Sequence, residues 1–383
     1  MKERIGDICT LKSGTTLKED MLIEDGPIPY VKVSDMNLVG NEKYIVTANS
    51  YVSADINEKM LFPEGTVLFP KRGGAIGTNK KRIASKTICA DLNTMGVIPS
   101  NKIRPLYLYY YFKNIDFGSL YNGSSVPQIN NTDIAPMVID LPAVADQDIA
   151  LAKLEKIDHI IQKRTEELAK LDDLIKARFV ELFGDPETNP MGWEQMTLND
   201  VCSSVVRGPF GSALKKEFFV EPGENTYKVY EQKHAIQKSA EIGTYYISEE
   251  KYNELKRFEC LPGDILMSCS GTMGELYQLP EGCAKGVINQ ALCKFTLNEK
   301  ILPVCFLEYM RQTIGNLETK GSGIQNIAAV SYVKAMPINV PTMDVQRQFV
   351  SFVEQVDKSK VAVQESLDET QQLFDSLMQQ YFG

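Results

Sequence analysis

Two stretches of 48 residues decide the fold: MVIDLPAVADQDIALAKLEKIDHIIQKRTEELAKLDDLIKARFVELFG, residues 137–184, and MPINVPTMDVQRQFVSFVEQVDKSKVAVQESLDETQQLFDSLMQQYFG, residues 336–383. They align without a gap at an offset of 199 positions and share eleven identical residues, where ordinary composition gives roughly three by chance. A period this long indicates duplication of a whole domain, so we predict two similar surfaces related by an approximate two-fold axis. That layout suits recognition of two places on one extended partner.

Each stretch predicts a long helix. No proline or glycine interrupts residues 147–183 or 346–382, and apolar residues recur at the heptad spacing of a coiled coil. Arg164, Lys360 and Thr370 interrupt the stripe, which indicates that other helices share part of the seam. The alternative is a helix packed only on its own domain. The predicted seam residues are Leu154, Ile157, Ile161, Leu168, Leu171, Ile175, Val353, Val356, Val363, Leu367, Phe374 and Leu377.

Chain geometry favours antiparallel helices. Each helix would span about 50 Å at 1.5 Å per residue, whereas a domain of about 150 residues has a radius of gyration near 15 Å. Parallel helices would require the domain between them to carry the chain back along the whole rod. We therefore predict a pseudo-two-fold chain in four parts: a first domain at 1–145, a helix at 146–185, a second domain at 186–343 and a helix at 344–383.

The two domains themselves predict a mixed α/β fold. Short apolar runs separated by glycine turns are typical of strands, which we expect to predominate. PEGTVL at 63–68 parallels PGDIL at 262–266, and the spacing between such matches drifts by several residues. The framework is thus predicted to be repeated, and the differences are predicted to lie in loops.

Composition and missing motifs exclude several classes of protein. The chain has no apolar run near the ~18 residues of a membrane span, and its opening MKERI lacks the apolar stretch expected of a secretory signal. Eight cysteines without C-x-x-C spacing and only two histidines, His159 and His234, argue against a metal site. Reduced thiols in a cytoplasmic protein are therefore expected. Nucleotide-binding loops, hydrolase elbows and zinc-protease motifs are absent, so we expect no catalytic site and no cofactor in this chain.

Local charge points to a polyanionic partner despite a net charge of −9. The acidic excess lies largely in the two repeated tails, and local patches decide phosphate binding. KRGGAIGTNKKR at 71–82 places five basic residues around a glycine-rich hairpin. Long cationic side chains on a mobile, narrow loop can reach phosphates. The alternative is a solvated hairpin whose charges only aid solubility.

Further polar segments complete the candidate surface. RGPFGSALKK at 207–216 corresponds to KSGTTLK at 12–18, and small residues there allow close backbone approach. The Gly-Ser segments at 123–129 and 321–327 carry amides, which pair with adenine in the major groove or, alternatively, cap turns. In the first domain the candidates are Lys12, Ser13, Thr15, Thr16, Lys32, Asp35, Asn37, Lys71, Arg72, Lys80, Lys81, Arg82, Ser124, Ser125, Gln128 and Asn130. In the second they are Arg207, Ser212, Lys215, Lys216, Gln232, Lys233, His234, Ser322, Gln325 and Asn326.

Together these features resemble the specificity subunit of Type I restriction–modification enzymes. The resemblance covers essentially the whole chain and rests on the Gly-Ser segments, the Pro-x₄-Gln opening of each helix (142–147 and 341–346) and the heptad tails ending in Phe-Gly. It implies two target-recognition domains separated by an antiparallel two-helix coiled coil. Each domain would read one half of a bipartite double-stranded DNA sequence, and the coil would set the spacer.

The same resemblance implies partners. Two methyltransferase subunits would dock on the coil and two restriction/translocase subunits would be recruited, so S-adenosylmethionine, ATP and Mg²⁺ would belong to those subunits. The first domain begins almost at once, so we expect a minimal helix before it, which leaves the closure of a circular arrangement open. One alternative is a non-catalytic coiled-coil scaffold whose paired domains bind proteins. Another is an enzyme with its own nuclease site, for which a Pro-Asp dipeptide is lacking.

Overall fold

The computed structural model describes residues 1–120, 127–209, 211–316, 319–320, 326–327 and 330–383. It divides into unit 1, Met1–Glu166 with Gln364–Gly383, and unit 2, Glu167–Val363. Up to the first long helix the elements are β1 Lys2–Arg4, α1 Ile5–Ile8, β2 Cys9–Ser13, β3 Ile28–Val31, β4 Tyr44–Ile45, β5 Tyr51–Val52, β6 Leu61–Phe62, β7 Val67–Pro70, β8 Arg82–Ala84, β9 Ile88–Ala90, β10 Thr94–Pro99, α2 Pro105–Lys113, α3 Asn131–Ile134, β11 Val138–Asp140 and α4 Val144–Phe183.

The remaining elements repeat this plan. They are β12 Glu194–Thr197, β13 Cys202–Arg207, β14 Phe219–Val220, β15 Thr226–Tyr230, α5 Gln232–Ile236, β16 Tyr246–Ser248, α6 Glu249–Glu254, β17 Glu259–Cys260, β18 Ile265–Ser268, β19 Leu276–Gln278, β20 Gly286–Ile288, β21 Leu292–Leu297, α7 Pro303–Thr313, β22 Thr319–Lys320, β23 Asn326–Ile327, α8 Val330–Ala335, β24 Pro337–Val340 and α9 Met343–Phe382. Within the described ranges no helix combines the length and apolarity needed to cross a membrane.

Unit 1 is built on two sheets with the orders β2-β10-β7-β8-β4 and β5-β3-β9-β6. Pairing within them is antiparallel except for β4 with β8 and β3 with β9. The helix α2 has the sequence PLYLYYYFK, and its residues 107–112 are all buried in one core with the first sheet and parts of both long helices. Strands predominate around a mixed α/β framework, as predicted.

Unit 2 repeats this framework with the sheet orders β13-β21-β18-β19 and β14-β16-β15-β20-β17. The strand registers give the correspondence residue by residue. Met95 lies opposite Ser13 and Phe69, and Cys293 lies opposite Arg207 and Met267. The duplication seen in the helical tails therefore extends through the sheets.

The long helices α4 and α9 contribute 40 residues each. In unit 1 the first half of α4 shares a core with the last half of α9, through Leu154 and Phe374. In unit 2 the last half of α4 packs with the first half of α9, through Phe179 and Phe349, whose ring centroids are 5.5 Å apart. This is the pairing of antiparallel helices, as predicted, and all twelve predicted seam residues are buried or half-buried.

A buried glutamine fixes the first turn of each long helix. The Oε1 atom of Gln147 accepts the backbone N–H of Arg104 at 2.8 Å, and its Nε2 donates to the carbonyls of Lys102 and Pro142 at 2.9 and 3.0 Å. Three contacts of the same lengths join Gln346 to backbone groups of residues 302, 300 and 341. Each glutamine thereby ties its helix to the N-terminus of α2 or α7. This is the physical basis of the Pro-x₄-Gln pattern.

Replacing either glutamine with alanine should destabilise the protein. Gln147→Ala or Gln346→Ala removes a buried side chain and leaves three backbone groups without this partner, and we expect a loss of roughly 2–4 kcal/mol in the free energy of unfolding. Urea denaturation followed by circular dichroism measures this. Gln162→Ala, on the exposed face of α4, is the matched control and should change stability by less than about 0.5 kcal/mol. Equal effects at the two positions would contradict the assignment.

Candidate nucleic-acid interface

One end of the first sheet is locked by a glycine in each unit. The N–H of Gly14 donates to the carbonyl of Thr94 at 2.9 Å, and that of Gly208 to the carbonyl of Leu292 at 3.0 Å. A Cβ atom at Gly14 would lie 2.0 Å from the Asp91 carbonyl oxygen, and one at Gly208 would lie 1.9 Å from that of Asn289. Only glycine permits this approach. The residues just before the glycines are thus held at the same point of the framework.

In unit 1 this point carries a cationic recess. Lys71, directly after β7, donates from Nζ to the Oγ of Ser13 at 2.7 Å. Arg72 forms a backbone bridge with Gln128 and its side chain is exposed. Lys71, Arg72, Gln128 and Leu92 line a cavity of about 210 Å³. Partial burial, with a contribution from Arg72, lowers the pKa of Lys71. The structure therefore brings together candidates from three separate segments of the chain.

Unit 2 places a cation at the same point but supplies it from another strand. The register sets Arg207 where unit 1 has Ser13. Cys269 stands where unit 1 has Lys71, since their N–H groups donate to the equivalent carbonyls of Ala291 and Asn93. A hydrogen bond with Cys293 and the nearby Arg207 charge both lower the pKa of Cys269. The basic residue thus follows β7 in unit 1 and ends β13 in unit 2. In both units the positive charge lies at the same end of the sheet.

Other candidates lie on the surface in smaller groups. Lys80 donates to Asn37, and in unit 2 Gln232 Nε2 donates to the carbonyl of Thr272 at 3.4 Å. The ammonium of Lys233 lies 2.7 Å from the Glu231 carboxylate. The side chains that remain exposed are Thr15, Thr16, Lys32, Lys215 and Lys216.

Two candidates prove to be capping residues of the fold. Asp35 accepts the backbone N–H of Lys32 at 2.8 Å, and His234 accepts that of Glu231 at 2.8 Å. Both are buried, and both hold the turn that follows the equivalent strands β3 and β15. Burial lowers the pKa of His234. Because both side chains are buried, they do not lie on the surface that a ligand would contact, and we correct their assignment as DNA-binding residues.

Three basic candidates are also committed to the fold. Lys81 is buried, donates from Nζ to the carbonyl of Ile115 at 2.7 Å and lies over the Phe117 ring. The guanidinium of Arg82 donates to the carbonyls of residues 81 and 36, both at 2.8 Å. Lys12 donates to the carbonyl of Leu61 at 2.6 Å. The prediction that the five basic residues at 71–82 all face a ligand is therefore wrong.

The connection that carries these residues also differs from prediction. The strands β7 and β8 do form an antiparallel pair, but residues 73–78 between them are wound into a 3₁₀ helix. Asn79 ends it in the left-handed conformation with φ of 52°. Its Oδ1 atom accepts the N–H of Phe117 at 2.9 Å. A structured turn replaces the mobile, narrow loop.

The amide candidates divide between the two interpretations. Gln128 lines the recess, with its Nε2 donating to Asn130 Oδ1 at 2.7 Å, whereas Asn130 caps α3. Ser124, Ser125, Ser322 and Gln325 lie outside the described residues, as do the side chains of Ser212 and Asn326. Leu92, an exposed apolar residue beside Arg72, was not predicted. Only its position in the turn before β10, next to a basic segment, could have indicated it.

Comparison with known proteins identifies the family of the chain and similar folds. The chain belongs to the family of Type I restriction modification DNA specificity domains, whose model matches residues 1–171 and again residues 190–370. Its fold is similar to that of a chain solved in work on complex assembly and conformational transition of the type I R-M system, at 17% identity and a TM-score of 0.63, covering 100% of this chain and 97% of that one. It is also similar to the S subunit of a Type I restriction–modification system from M. genitalium, at 15% identity and a TM-score of 0.51, covering 100% and 96%.

The buried Lys81 should make stability depend on pH. Burial lowers the pKa of Lys81 to about 8, from an ordinary value of 10.5. Between these values the unfolded chain binds more protons than the folded protein, so this residue makes the free energy of unfolding rise with pH. Lys81→Met removes that contribution. The stability of the variant minus that of the wild type should therefore fall from pH 8 to pH 10.5.

Chemical denaturation at several pH values measures this difference. Lys80→Met removes the neighbouring, half-exposed lysine and serves as control. A difference for Lys81→Met that stays constant across the range, or that matches the control, would show that Lys81 is solvated.

Proposed function

We propose that this protein is the non-catalytic, sequence-specific DNA-binding subunit of a Type I restriction–modification complex. The observation that carries the proposal is the cation at the same sheet end of both units, Lys71 in one and Arg207 in the other, beside the glycine-locked turn. Two equivalent cationic points in one acidic chain fit the phosphates of two DNA half-sites. Each unit would then read one half of a bipartite target.

The recess of unit 1 offers groups for reading bases. The exposed guanidinium of Arg72 can donate two hydrogen bonds to the major-groove edge of guanine, and a glutamine amide suits adenine. Leu92 is an apolar surface of the kind that contacts a thymine methyl group. Lys71, already held by Ser13, is placed for a phosphate contact that sets the register and carries no sequence information.

The long helices supply the other part of the proposed function. As an antiparallel pair they would set the spacer between half-sites. They also carry a repeated apolar feature: Leu174 and Leu373 are identical positions of the duplication, and both are exposed, at 46% and 52%. Paired apolar side chains on helices suit docking of partner helices. We propose that each receives one methyltransferase subunit.

Catalysis then belongs to the partners. In this proposal the methyltransferase subunits bind S-adenosylmethionine, and two restriction/translocase subunits use ATP and Mg²⁺. This chain contributes recognition, spacing and the docking surface for the methyltransferase subunits.

The recess should determine one half of the target. Sequencing of modified bases in the host genome should yield a bipartite motif, and Arg72→Ala should relax one position in one half of it, because one base contact is lost. The other half should keep its sequence. A motif without two separated halves, or relaxation in both halves, would count against the proposal.

The same variant should weaken binding of the reconstituted complex to its DNA target. A loss of about 1–3 kcal/mol is expected for a lost bidentate base contact. Lys102→Ala is the matched control, because the exposed Lys102 follows β10 at the opposite end of the same sheet. Fluorescence anisotropy of labelled DNA at several salt concentrations measures both variants.

The paired leucines should each account for one docked subunit. Leu174→Asp or Leu373→Asp places a charge in an apolar contact, and native mass spectrometry should then show one methyltransferase subunit in place of two. The double variant should bind none. Both residues are exposed, so folding should be preserved, as circular dichroism can verify. Unchanged stoichiometry in the double variant would exclude this surface.

A further inference from the structure

Unit 2 contains a cavity lined by charged side chains. It has a volume of about 390 Å³ and lies between α7 and the parts of α4 and α9 in this unit. Phe349 and Val353 supply apolar lining, and Glu308 supplies a carboxylate that is only 4% exposed. A buried carboxylate beside open volume is costly unless a cation accompanies it.

The equivalent place in unit 1 is occupied by a lysine. Prolines 105 and 303 open α2 and α7, so Tyr110 corresponds to Glu308, and the repeat offset pairs Asp158 with Asp357. The Nζ atom of Lys43 donates to the Tyr110 hydroxyl at 3.1 Å and to the Asp158 carboxylate at 3.3 Å. One ammonium group from the recognition domain therefore satisfies this position in unit 1.

The lysine of unit 1 is supplied next to the edge strand of the first sheet. Lys43 directly precedes β4, the edge strand beside β8. In the described part of unit 2 the equivalent strand β19 has no further strand beside it. Two rings also fill the space in unit 1, since Tyr110 and Phe374 lie with centroids 6.0 Å apart. Glu308 and Ile175 replace them in unit 2. The space that the two rings fill in unit 1 is therefore open in unit 2, and the Glu308 carboxylate stands where unit 1 has the Tyr110 hydroxyl.

The charges within unit 2 satisfy this cavity only loosely. Arg311 approaches Glu308 at 3.3 Å with a side chain that is 55% exposed, and Gln312 Nε2 donates to the other Glu308 oxygen at 3.2 Å. Lys360 lies 2.7 Å from Asp172 but 3.8 Å from Asp357. Glu308 is therefore the buried charge of the cavity, and the other charged side chains in its lining are more exposed, Lys360 at 30% and Asp357 at 56% among them. A carboxylate has about four acceptor sites, so Glu308 and Asp357 can accept further donors.

We propose that this cavity receives a lysine or arginine side chain of the methyltransferase subunit docked on the coil. The inference rests on the docking in the proposed function and adds the chemistry of one contact. The guest's aliphatic stem packs on Phe349 and Val353, and its cationic tip reaches Glu308 and Asp357, as Lys43 reaches their equivalents in unit 1. An anion is disfavoured because it would meet the buried Glu308 carboxylate. The contact exists at one of the two docking positions only.

The test compares docking of the full-length chain and its Glu308→Gln variant with the methyltransferase subunit. Removing one member of a buried charge pair should weaken the affected docking event roughly 30-fold or more. Native mass spectrometry should then show one copy lost at concentrations that saturate the wild type. Glu299→Gln, an exposed glutamate just before α7, is the matched control and should bind like the wild type.

A second variant keeps the test decisive if Glu308→Gln folds poorly. Glu308→Tyr installs the residue found in unit 1 and fills the cavity, so it should fold and still lose one docked copy. Wild-type affinity in both variants would overturn the inference and leave the proposed function standing. Failure of the wild-type chain to bind any methyltransferase would overturn both.

Discussion

A single side-chain amide, repeated, holds the framework together. Gln147 and Gln346 each bond three backbone groups, and those groups belong to the turn before a short helix and to the segment that leads into a long one. Without this tie, one backbone donor and two carbonyl acceptors beside each glutamine would lose their partner. The tie joins the start of each long helix to the short helix of the same unit, α4 to α2 and α9 to α7.

The sequence predicts those parts of the fold that follow from a repeating pattern of apolar residues. It predicts less well those parts that depend on contacts between distant segments. The heptad stripe predicted two long helices and a seam, and every seam residue is buried or half-buried. Phe179 and Phe349 were missed, because they pack across the helix ends where the heptad pattern gives way to contacts with α7. Family membership was predicted from the repeat and the helix openings, and the family match confirms it.

The candidate surface was predicted less well, because linear clustering does not reveal burial. Lys80 and Lys81 are adjacent in sequence, yet one bonds Asn37 at the surface and the other lies in the core against Phe117. Asp35 and His234 have polar side chains that suit DNA, but their position four residues after a strand end makes them caps. Distinguishing these roles requires the strand registers, which the sequence alone did not supply.

The exchange of basic residues between Lys71 and Arg207 has a consequence for how such domains change. What the framework preserves is a positive potential at one location in space, and either of two neighbouring strands can deliver it. A mutation that moves the charge from one strand to the other therefore leaves the local field nearly intact, while it alters the length and shape of the group that carries it. Neither position need look invariant in an alignment of related chains; the signature would be a correlated pair, in which a basic residue at one accompanies a small or neutral residue at the other.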